Sequence, residues 1–319
     1  MIASTEGDAP VQGTSNDAAV SRESAARLGY INDPFIRSFV RHPSRRPPII
    51  NLGTHSRFHG VQRTLRQFIQ NQQQSASQVV ILGSGLDTSY FLLAQQGLRA
   101  KRYYEIDFAE INTKKASAIC RNQAMRALLP KDIEVAAGGT ELHSSEYCLL
   151  SADLRELHTS VVPKLVDHGF DRLAPTLFIS ECVLIYLEPR HSDAILDWIT
   201  QEVPTAAVLT YEQVLPHDRF GKMMIENLRN RGIELRGLMA YPTMESSRNR
   251  FLSRGWSVAS AVDLDEYHKK CIDSLELTRL SRIEFVDEWE EFSLLAKHYA
   301  FTFAVTSSAE CFTAMDTFN

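Results

Sequence analysis

The hydrophobic and polar positions of this chain follow two alternating patterns from residue 79 onward. Short apolar runs with the length of buried strands are separated by amphipathic stretches with helical spacing. The run VVIL begins the series, and later strand candidates cover residues 102–106, 147–150, 176–180 and 206–211. The helical stretches between them cover residues 88–96, 108–122, 155–168 and 189–203. This alternation predicts a doubly wound α/β fold with a mostly parallel sheet.

The segments on either side of this alternation have a different character. Residues 1–20 are small and polar, so we expect a disordered tail there. Residues 21–75 predict a helical cap, and residues 215–286 predict a mainly helical insertion, which either serves as a substrate-binding lid or only packs on the sheet. The helices of the cap are expected at 21–30, 35–40 and 58–70. The strand-like YAFTFAVTS near the end predicts an antiparallel partner for the sheet, which completes a single domain over 21–319.

Composition narrows the classes of function. With 44% hydrophobic and 23% charged residues among 319, the chain has the make-up of a globular protein with a sizeable core. Its formal net charge of -5 gives no support for a nucleic-acid partner. The five cysteines are widely spaced without a C-x-x-C pair, which favours a reduced compartment and no metal site. No apolar run approaches the length of about 18 residues that a membrane span needs. We expect a monomer in the cytoplasm, with the nucleus as a second location.

A glycine turn follows the first strand and suggests a ligand that contains a nucleoside. Gly83 and Gly85 form a G-x-G pair, and a second strand-like run closes on Asp107. In nucleotide-binding βαβ units, the backbone of such a turn approaches the ligand, and the acid accepts hydrogen bonds from the ribose hydroxyls. The third glycine of a dinucleotide fingerprint is replaced by Ser89, and Asp87 at the helix start would repel a pyrophosphate. Both departures favour S-adenosylmethionine, which has no phosphates.

Further carboxylates follow the other strands, at the sheet edge where open α/β folds bind ligands. Asp107 would bind the ribose, although Glu105, two residues earlier and on the same strand face, is an alternative. Asp153 would accept from the adenine amino group beside the backbone of Leu154, and it would also suit a helix cap. Glu181 would face the methionine ammonium group. The sequence therefore predicts one binding edge for a cationic nucleoside ligand.

Six longer motifs resemble one known family. They are LGSGLDTSYF, YYEIDF, SADLREL, ISECVLIYLEP, YEQVLPHDRFGKMMIENLRNRG and RGWSVASAVDLDEYH. Together they resemble the leucine carboxyl methyltransferases, from about residue 21 to the last strand. The resemblance implies a class I, Rossmann-like methyltransferase with a mostly parallel seven-stranded sheet, which converts S-adenosyl-L-methionine to S-adenosyl-L-homocysteine. It also implies a partner, the catalytic subunit of protein phosphatase 2A, whose C-terminal leucine is methyl-esterified to regulate holoenzyme assembly.

The resemblance also implies which residues contact the cofactor. It adds Arg22 and Arg57 as partners for the cofactor's carboxylate, although the family has lysine where this chain has Arg22. The set implied by the family is Arg22, Arg57, Gly83, Asp107, Asp153, Leu154 and Glu181. Gly85 joins this set because it belongs to the same glycine turn.

The implied reaction needs little acid–base chemistry. A C-terminal carboxylate has an ordinary pKa of about 3.5, so it is ionised at neutral pH and requires no general base. We therefore expect no catalytic triad, and Tyr211 after the fifth strand is the candidate for orienting the reacting groups. Alternatives are a carboxyl methyltransferase acting on a small molecule or a modified tRNA base, and a phosphatase-binding scaffold without turnover. A nicotinamide dehydrogenase is the least favoured alternative because the third glycine is missing.

Overall fold

The computed structural model describes residues 8–71 and 77–306, together with residues 312, 315 and 318. Within them, nine strands form one sheet with the order β3-β4-β5-β2-β1-β6-β7-β9-β8. The strands are β1 Gln78–Leu82, β2 Arg102–Asp107, β3 Glu134–Ala136, β4 Glu141–His143, β5 Tyr147–Ser151, β6 Thr176–Glu181, β7 Ala206–Gln213, β8 Val258–Asp263 and β9 Tyr299–Val305. The central strands from β5 to β7 are parallel, and β9 joins β7 in the antiparallel direction. The predicted α/β fold is confirmed, and its sheet is mixed, with five parallel strands at the centre and antiparallel strands at both edges.

The sheet has two strands more than the seven that were predicted. β3 and β4 form an antiparallel hairpin at the β5 edge, where Leu142 pairs with Leu149. β3 leaves no apolar run in the sequence because its residues are mostly exposed. The predicted helical insertion also contains a strand, β8, whose small residues resemble neither a buried run nor a helical stripe. The other six strands, β1, β2, β5, β6, β7 and β9, correspond to the six strand candidates in the sequence.

Twelve α-helices accompany the sheet within the described residues. They are α1 Ala9–Leu28, α2 Pro48–Asn71, α3 Ser89–Gln95, α4 Ala109–Arg121, α5 Gln123–Leu128, α6 Val162–Asp167, α7 Pro189–Glu202, α8 Arg219–Arg229, α9 Met244–Leu252, α10 Leu264–Lys270, α11 Ser274–Leu280 and α12 Trp289–Ala296. None of these helices is both long and apolar enough to cross a membrane.

Two of the predicted helices take other forms. The segment expected as a helix over 35–40 contains a 3₁₀ turn, Ile36–Phe39. The helix expected over 155–168 is divided into two short turns followed by α6. Pro163 explains the division, because proline has no N–H to donate and is tolerated only in the first turn of an α-helix.

The core lies on both faces of the sheet because the side chains of β1 alternate between them. On one face, Val79 belongs to a cluster with Phe68 of α2 and Phe91 of α3. On the other face, Val80 belongs to a cluster with Leu196 of α7. A strand that is buried on both faces is typical of a parallel sheet covered by helices, and it explains the continuous apolar run VVIL.

The N-terminal segment departs most clearly from the prediction. Disorder was expected over 1–20, yet α1 begins at Ala9 and continues to Leu28. No apolar stripe marks its first half in the sequence, because the residues there are small and polar. Polar contacts hold it to the rest of the molecule: Asp8 pairs with Arg155, and Asp17 pairs with Arg231. Residues 1–7 of the predicted tail lie outside the described part of the chain.

Candidate active site

A cavity of about 990 Å³ opens at the carboxyl ends of β1, β2, β5, β6 and β7. Sheet register explains why the central strand ends meet, since Leu82 pairs with Ile106 on one side and with Ser180 on the other. The cavity is lined by every predicted site residue: Arg22, Arg57, Gly83, Gly85, Asp107, Asp153, Leu154, Glu181 and Tyr211. The structure therefore brings the predicted set together, while the role of each residue stays a prediction.

The glycine turn between β1 and α3 has a left-handed backbone that favours glycine. Gly83 has a φ of +66° and Gly85 a φ of +52°. A Cβ atom at Gly83 would lie 2.5 Å from Cγ2 of Val183, so the close packing also requires glycine. The N–H of Gly85 donates to Oδ2 of Asp107 at 2.6 Å, and the N–H of Phe108 donates to Oδ1 at 2.7 Å. The turn and the acid therefore hold each other in place at the cavity wall.

The structure separates the two acids that were rivals for the ribose. Glu105 is completely buried in an ion pair with Lys115, and the hydroxyl of Tyr147 donates to it at 2.9 Å. Asp107, at the end of the same strand, lines the cavity, whereas Glu105 does not. Burial raises the pKa of Asp107, although the two backbone N–H groups that it accepts from act in the opposite direction. The geometry favours Asp107 as the acid that faces a ligand.

A second pair of opposite charges lies across the cavity at the end of β6. Nε of Arg57, on α2, donates to Oε2 of Glu181 at 2.6 Å. The Arg57 guanidinium also lies over the ring of Tyr211, 4.9 Å from its centroid. Both members of the ion pair keep part of their side chains exposed. A ligand that carries a carboxylate and an ammonium group together could bind both charges.

Arg22 joins the N-terminal segment to the start of α3. Its Nε donates to Asp33 at 2.8 Å, and its Nη1 donates to Asp87 at 2.8 Å. Although burial raises the pKa of Asp87, the positive charges of Arg22 and Lys115 hold it below its ordinary value. Asp87 also accepts from the backbone N–H of Ser89, which confirms its position at the helix start. The remaining nitrogen, Nη2 of Arg22, is buried without a hydrogen-bond partner among the described residues.

Asp153 is held by a neighbouring arginine at the end of β5. Its Oδ1 accepts from the backbone N–H of Arg155 at 2.8 Å, so the predicted cap is present. The Arg155 guanidinium donates to Asp153 at 2.9 Å and to Asp8, just before α1, at 2.7 Å. Arg155 therefore connects Asp153, a candidate ligand contact, to the residue at the start of α1.

Tyr211 is surrounded by aromatic rings as well as by Arg57. The ring of Tyr299 stacks on it with centroids 5.4 Å apart, and Phe301 lies 5.0 Å away. Burial raises the pKa of Tyr211, so its hydroxyl stays protonated at neutral pH. Tyr299 also lines the cavity and was missed at the sequence level. It could have been found, because the first residue of an antiparallel last strand must arrive at the carboxyl edge of the parallel strands.

Other parts of the cavity wall come from segments that sequence reasoning did not connect with the site. Val11 and Ser15 of α1 face it, and Ser15 Oγ would lie 3.3 Å from a Cβ atom placed on Gly85. Leu264 of α10 and Leu295 of α12 contribute apolar surface to the cavity wall. No local signal marks these residues, since their approach depends on how the helices pack.

Cys182, directly after Glu181, has an unusual backbone. Its φ of 55° is left-handed, a conformation that costs a residue other than glycine about 1–3 kcal/mol. Its N–H donates to the carbonyl of Tyr211 at 2.7 Å. Burial raises the pKa of the thiol to about 12, so it stays protonated at neutral pH and is a poor nucleophile. We therefore attribute the strained backbone of Cys182 to the shape that the chain must take along the cavity wall, and not to a reaction of its thiol.

Comparison with known proteins places these features in one family. A family model described as "Leucine carboxyl methyltransferase" matches residues 11–200. The leucine carboxyl methyltransferase 1 homolog of Arabidopsis thaliana is 37% identical over 316 residues, which cover 98% of this chain and 94% of that protein. The tRNA wybutosine-synthesizing protein 4 of Homo sapiens is 36% identical over 295 residues, which cover 91% of this chain and 43% of that protein.

A solved structure shares the fold at low sequence identity. A Thermobifida fusca YX protein, provisionally described as a methyltransferase, superposes with a TM-score of 0.52 at 15% identity, over 91% of this chain and 94% of that one. A likeness at this identity concerns the fold alone. It agrees with the sheet order, and the chain has the architecture of the class I methyltransferases.

Proposed function

Because the chain belongs to the leucine carboxyl methyltransferase family, we propose that it methylates the α-carboxylate of a C-terminal leucine with S-adenosylmethionine as the methyl donor. We propose the catalytic subunit of protein phosphatase 2A as the protein that carries this leucine. The observation on which the proposal depends most is the arrangement of Arg57 and Glu181 opposite Asp107 in one cavity. Two ligand groups of opposite charge and a ribose would each have a partner there.

The residues present fit S-adenosylmethionine. Arg57 would bind its carboxylate and Glu181 its ammonium group, so that the zwitterion bridges an ion pair already in place. Arg22 Nη2, buried without a protein partner among the described residues, is a further donor for an anionic group. Asp107 would accept from the ribose beside the side-chain-free Gly85. When bound, S-adenosylmethionine supplies a methyl group on a positively charged sulfur.

The transfer itself requires positioning rather than proton movement. With S-adenosylmethionine held by Arg57, Glu181 and Asp107, an oxygen of the substrate carboxylate would bond to the methyl carbon while the carbon–sulfur bond breaks and leaves its electron pair on sulfur. No proton is gained or lost, which agrees with Tyr211 and Cys182 staying protonated. Opposite charges are neutralised as the bond forms, so a cavity that excludes water favours the reaction. Tyr211, fixed by Arg57 and Tyr299, would orient the reacting groups.

The substrate side of the cavity has the chemistry of an apolar C-terminus. Leu264 and Leu295 offer apolar surface for a leucine side chain. The insertion over 215–286 contributes further residues at the mouth, among them Leu228 and Arg231. A folded protein that brings its tail into the cavity would meet this insertion first. These features support a protein substrate over a free amino acid.

A labelling reaction tests the proposal. The enzyme is incubated with methyl-labelled S-adenosylmethionine and the phosphatase catalytic subunit, either intact or lacking its terminal leucine. We expect label on the intact subunit that alkali removes, because methyl esters are base-labile, and no label on the shortened one. Base-stable label, or label that does not depend on the leucine, would reject the proposal.

A second candidate is suggested by the relative that acts in tRNA wybutosine synthesis, which is 36% identical over 91% of this chain. In this alternative, the acceptor is a carboxylate on a modified tRNA base. The same reaction with tRNA in place of the phosphatase separates the two candidates, since nuclease treatment releases label from RNA only. Phosphatase binding without any label would instead indicate a scaffold.

A further inference from the structure

One wall of the cavity is formed by the turn that follows β6, residues 182–186, which we call the β6 turn. It begins at the strained Cys182, directly after Glu181. Val183 packs closely on Gly83, because a Cβ atom placed on Gly83 would lie 2.5 Å from Cγ2 of Val183. Tyr186, the last residue of the turn, also lines the cavity. The conformation of this turn therefore sets the position of several cavity residues at once.

The β6 turn is hydrogen-bonded to Glu212, the residue after Tyr211 on β7. The N–H of Val183 donates to Oε1 of Glu212 at 3.2 Å. The backbone N–H groups of Leu184 and Ile185 also lower the pKa of this carboxylate. The 3₁₀ turn at Leu184–Tyr186 has no side-chain cap of its own, and a carboxylate from the next strand accepts from the N–H of Val183 directly before it.

The insertion, residues 215–286, also contacts the β6 turn through a backbone hydrogen bond. The N–H of Gly237 donates to the carbonyl of Ile185 at 2.9 Å. A Cβ atom at Gly237 would lie 3.3 Å from the backbone of Ile185. The turn therefore lies between Glu212 and the insertion and has little room to relax. A strained residue persists only where its surroundings determine its conformation in this way.

We propose that Glu212 is a positioning residue for methyl transfer: it holds the β6 turn in its strained conformation and so places Glu181 and Val183 at the cofactor side of the cavity. This inference rests on the proposed function only for its kinetic consequence. The hydrogen bond between Val183 and Glu212 is present in the structure whatever reaction the protein catalyses.

The protonation of Glu212 makes the proposal testable by pH. Burial raises its pKa to about 7, while Arg250 of α9 and the three backbone N–H groups act in the opposite direction. Protonation turns one acceptor oxygen into a donor that faces N–H groups, so acid should loosen the β6 turn. Wild-type activity should therefore fall as the pH falls through about 7.

The groups around Glu212 do not account for such a transition. Arg250 and Tyr241 line a small cavity of about 20 Å³ beside it. On the turn itself, burial raises the pKa of both Cys182 and Tyr186, so both stay protonated near neutrality. Across the sheet, β9 places Ala300, which does not titrate, opposite Glu212.

The experiment compares the wild type with E212Q and with a control, E146Q. Glu146 also accepts hydrogen bonds, from Arg99 and Tyr90, but it lies before β5 at the opposite edge of the sheet. Hydrogen exchange by mass spectrometry should show faster exchange over 183–185 in E212Q alone. With the phosphatase as substrate, E212Q should lose about tenfold in kcat/KM at pH 8. Its rate should also be flat from pH 5.5 to 8.5, because glutamine imitates the protonated acid.

Each outcome decides the matter. Unchanged exchange over 183–185 in E212Q would overturn the proposal, whatever the activity. Faster exchange with an unchanged rate and an unchanged pH profile would overturn the link to catalysis. A wild type that exchanges slowly but transfers no methyl group would reject the proposed function and leave the contact in place. Equal losses in E212Q and E146Q would show a general effect on stability and would also overturn the proposal.

Discussion

The inner and the outer walls of the cavity are built in different ways. The inner wall consists of strand ends, where the ladder pairs Leu82 with Ile106 and Glu181 with Tyr211. The outer wall consists of α1 and of residues 228–236 from the insertion. Asp8, directly before α1, pairs with Arg155 after β5, and Asp17 of α1 pairs with Arg231 within the outer wall. The inner wall is fixed by buried backbone pairing, whereas the first half of α1 buries few side chains and is held by ion pairs.

This difference has an energetic consequence. Both partners of the Asp17–Arg231 pair are about half exposed, and ion pairs of this kind contribute about 0–1 kcal/mol. The strands of the inner wall are buried on both faces and cannot separate without exposing the core. Ligand entry should therefore move the outer wall and leave the inner wall in place. The predictions below test this contrast, from the largest expected effect to the smallest.

The largest effect should come from a substitution in the inner wall, Gly83→Ala. Its left-handed φ would cost alanine about 1 kcal/mol, and the collision with Val183 would add about 1–3 kcal/mol. Gly97→Ala is a matched control, since Gly97 has a φ of +73° but no atom within 4 Å of a Cβ atom. Chemical unfolding should show the larger loss for Gly83→Ala. Equal losses would mean that the wall yields to the collision and is not rigid.

The inner wall was also the part that could be predicted from the sequence. Strand ends carry their own signals: a glycine pair after an apolar run at Gly83, and acids after later runs at Asp107 and Glu181. Parallel pairing then brings residues that are far apart in the chain to one edge. The choice between Glu105 and Asp107 was beyond the sequence, because it depends on the buried partner Lys115 of α4.

The outer wall was not predictable for a physical reason. The first half of α1 buries few side chains, so no helical stripe distinguishes it from a disordered tail. Its stability comes from partners such as Arg155, which is 147 residues distant in the sequence from Asp8. The strand β8 was missed for a similar reason, since its pairing with β9 and not its composition makes it a strand.

Arg57→Ala should have the next largest effect. It removes the charge at the inner wall that we propose binds the cofactor carboxylate, at a cost of about 2–3 kcal/mol in binding. Calorimetry with S-adenosylhomocysteine should show affinity about a hundredfold weaker, with the fold retained. Arg172→Ala is the control, because Arg172 pairs with the exposed Glu202 outside the cavity. An Arg57→Ala protein with wild-type affinity would reject this role.

A smaller effect should separate a folded substrate from its tail. We expect the free C-terminal peptide of the phosphatase to react with kcat/KM at least about tenfold below that of the intact subunit, about 1.4 kcal/mol. The folded partner can contact the outer wall and also the exposed Met223 and Met239 elsewhere in the insertion, and so hold the tail in place. Steady-state rates for both substrates decide the matter. Equal values would indicate a pocket that reads the leucine alone.

The smallest effect should come from Asp17→Ala in the outer wall. It removes an exposed ion pair, so the free energy of unfolding should change by no more than about 0.5 kcal/mol. The same substitution frees α1 from Arg231 next to the cavity, and S-adenosylhomocysteine should leave about twofold faster in stopped-flow measurements. Glu202→Ala breaks a comparably exposed pair outside the cavity and should change neither rate nor stability beyond that limit. A loss above about 1 kcal/mol in Asp17→Ala would place α1 in the rigid frame, and the contrast between the two walls would fail.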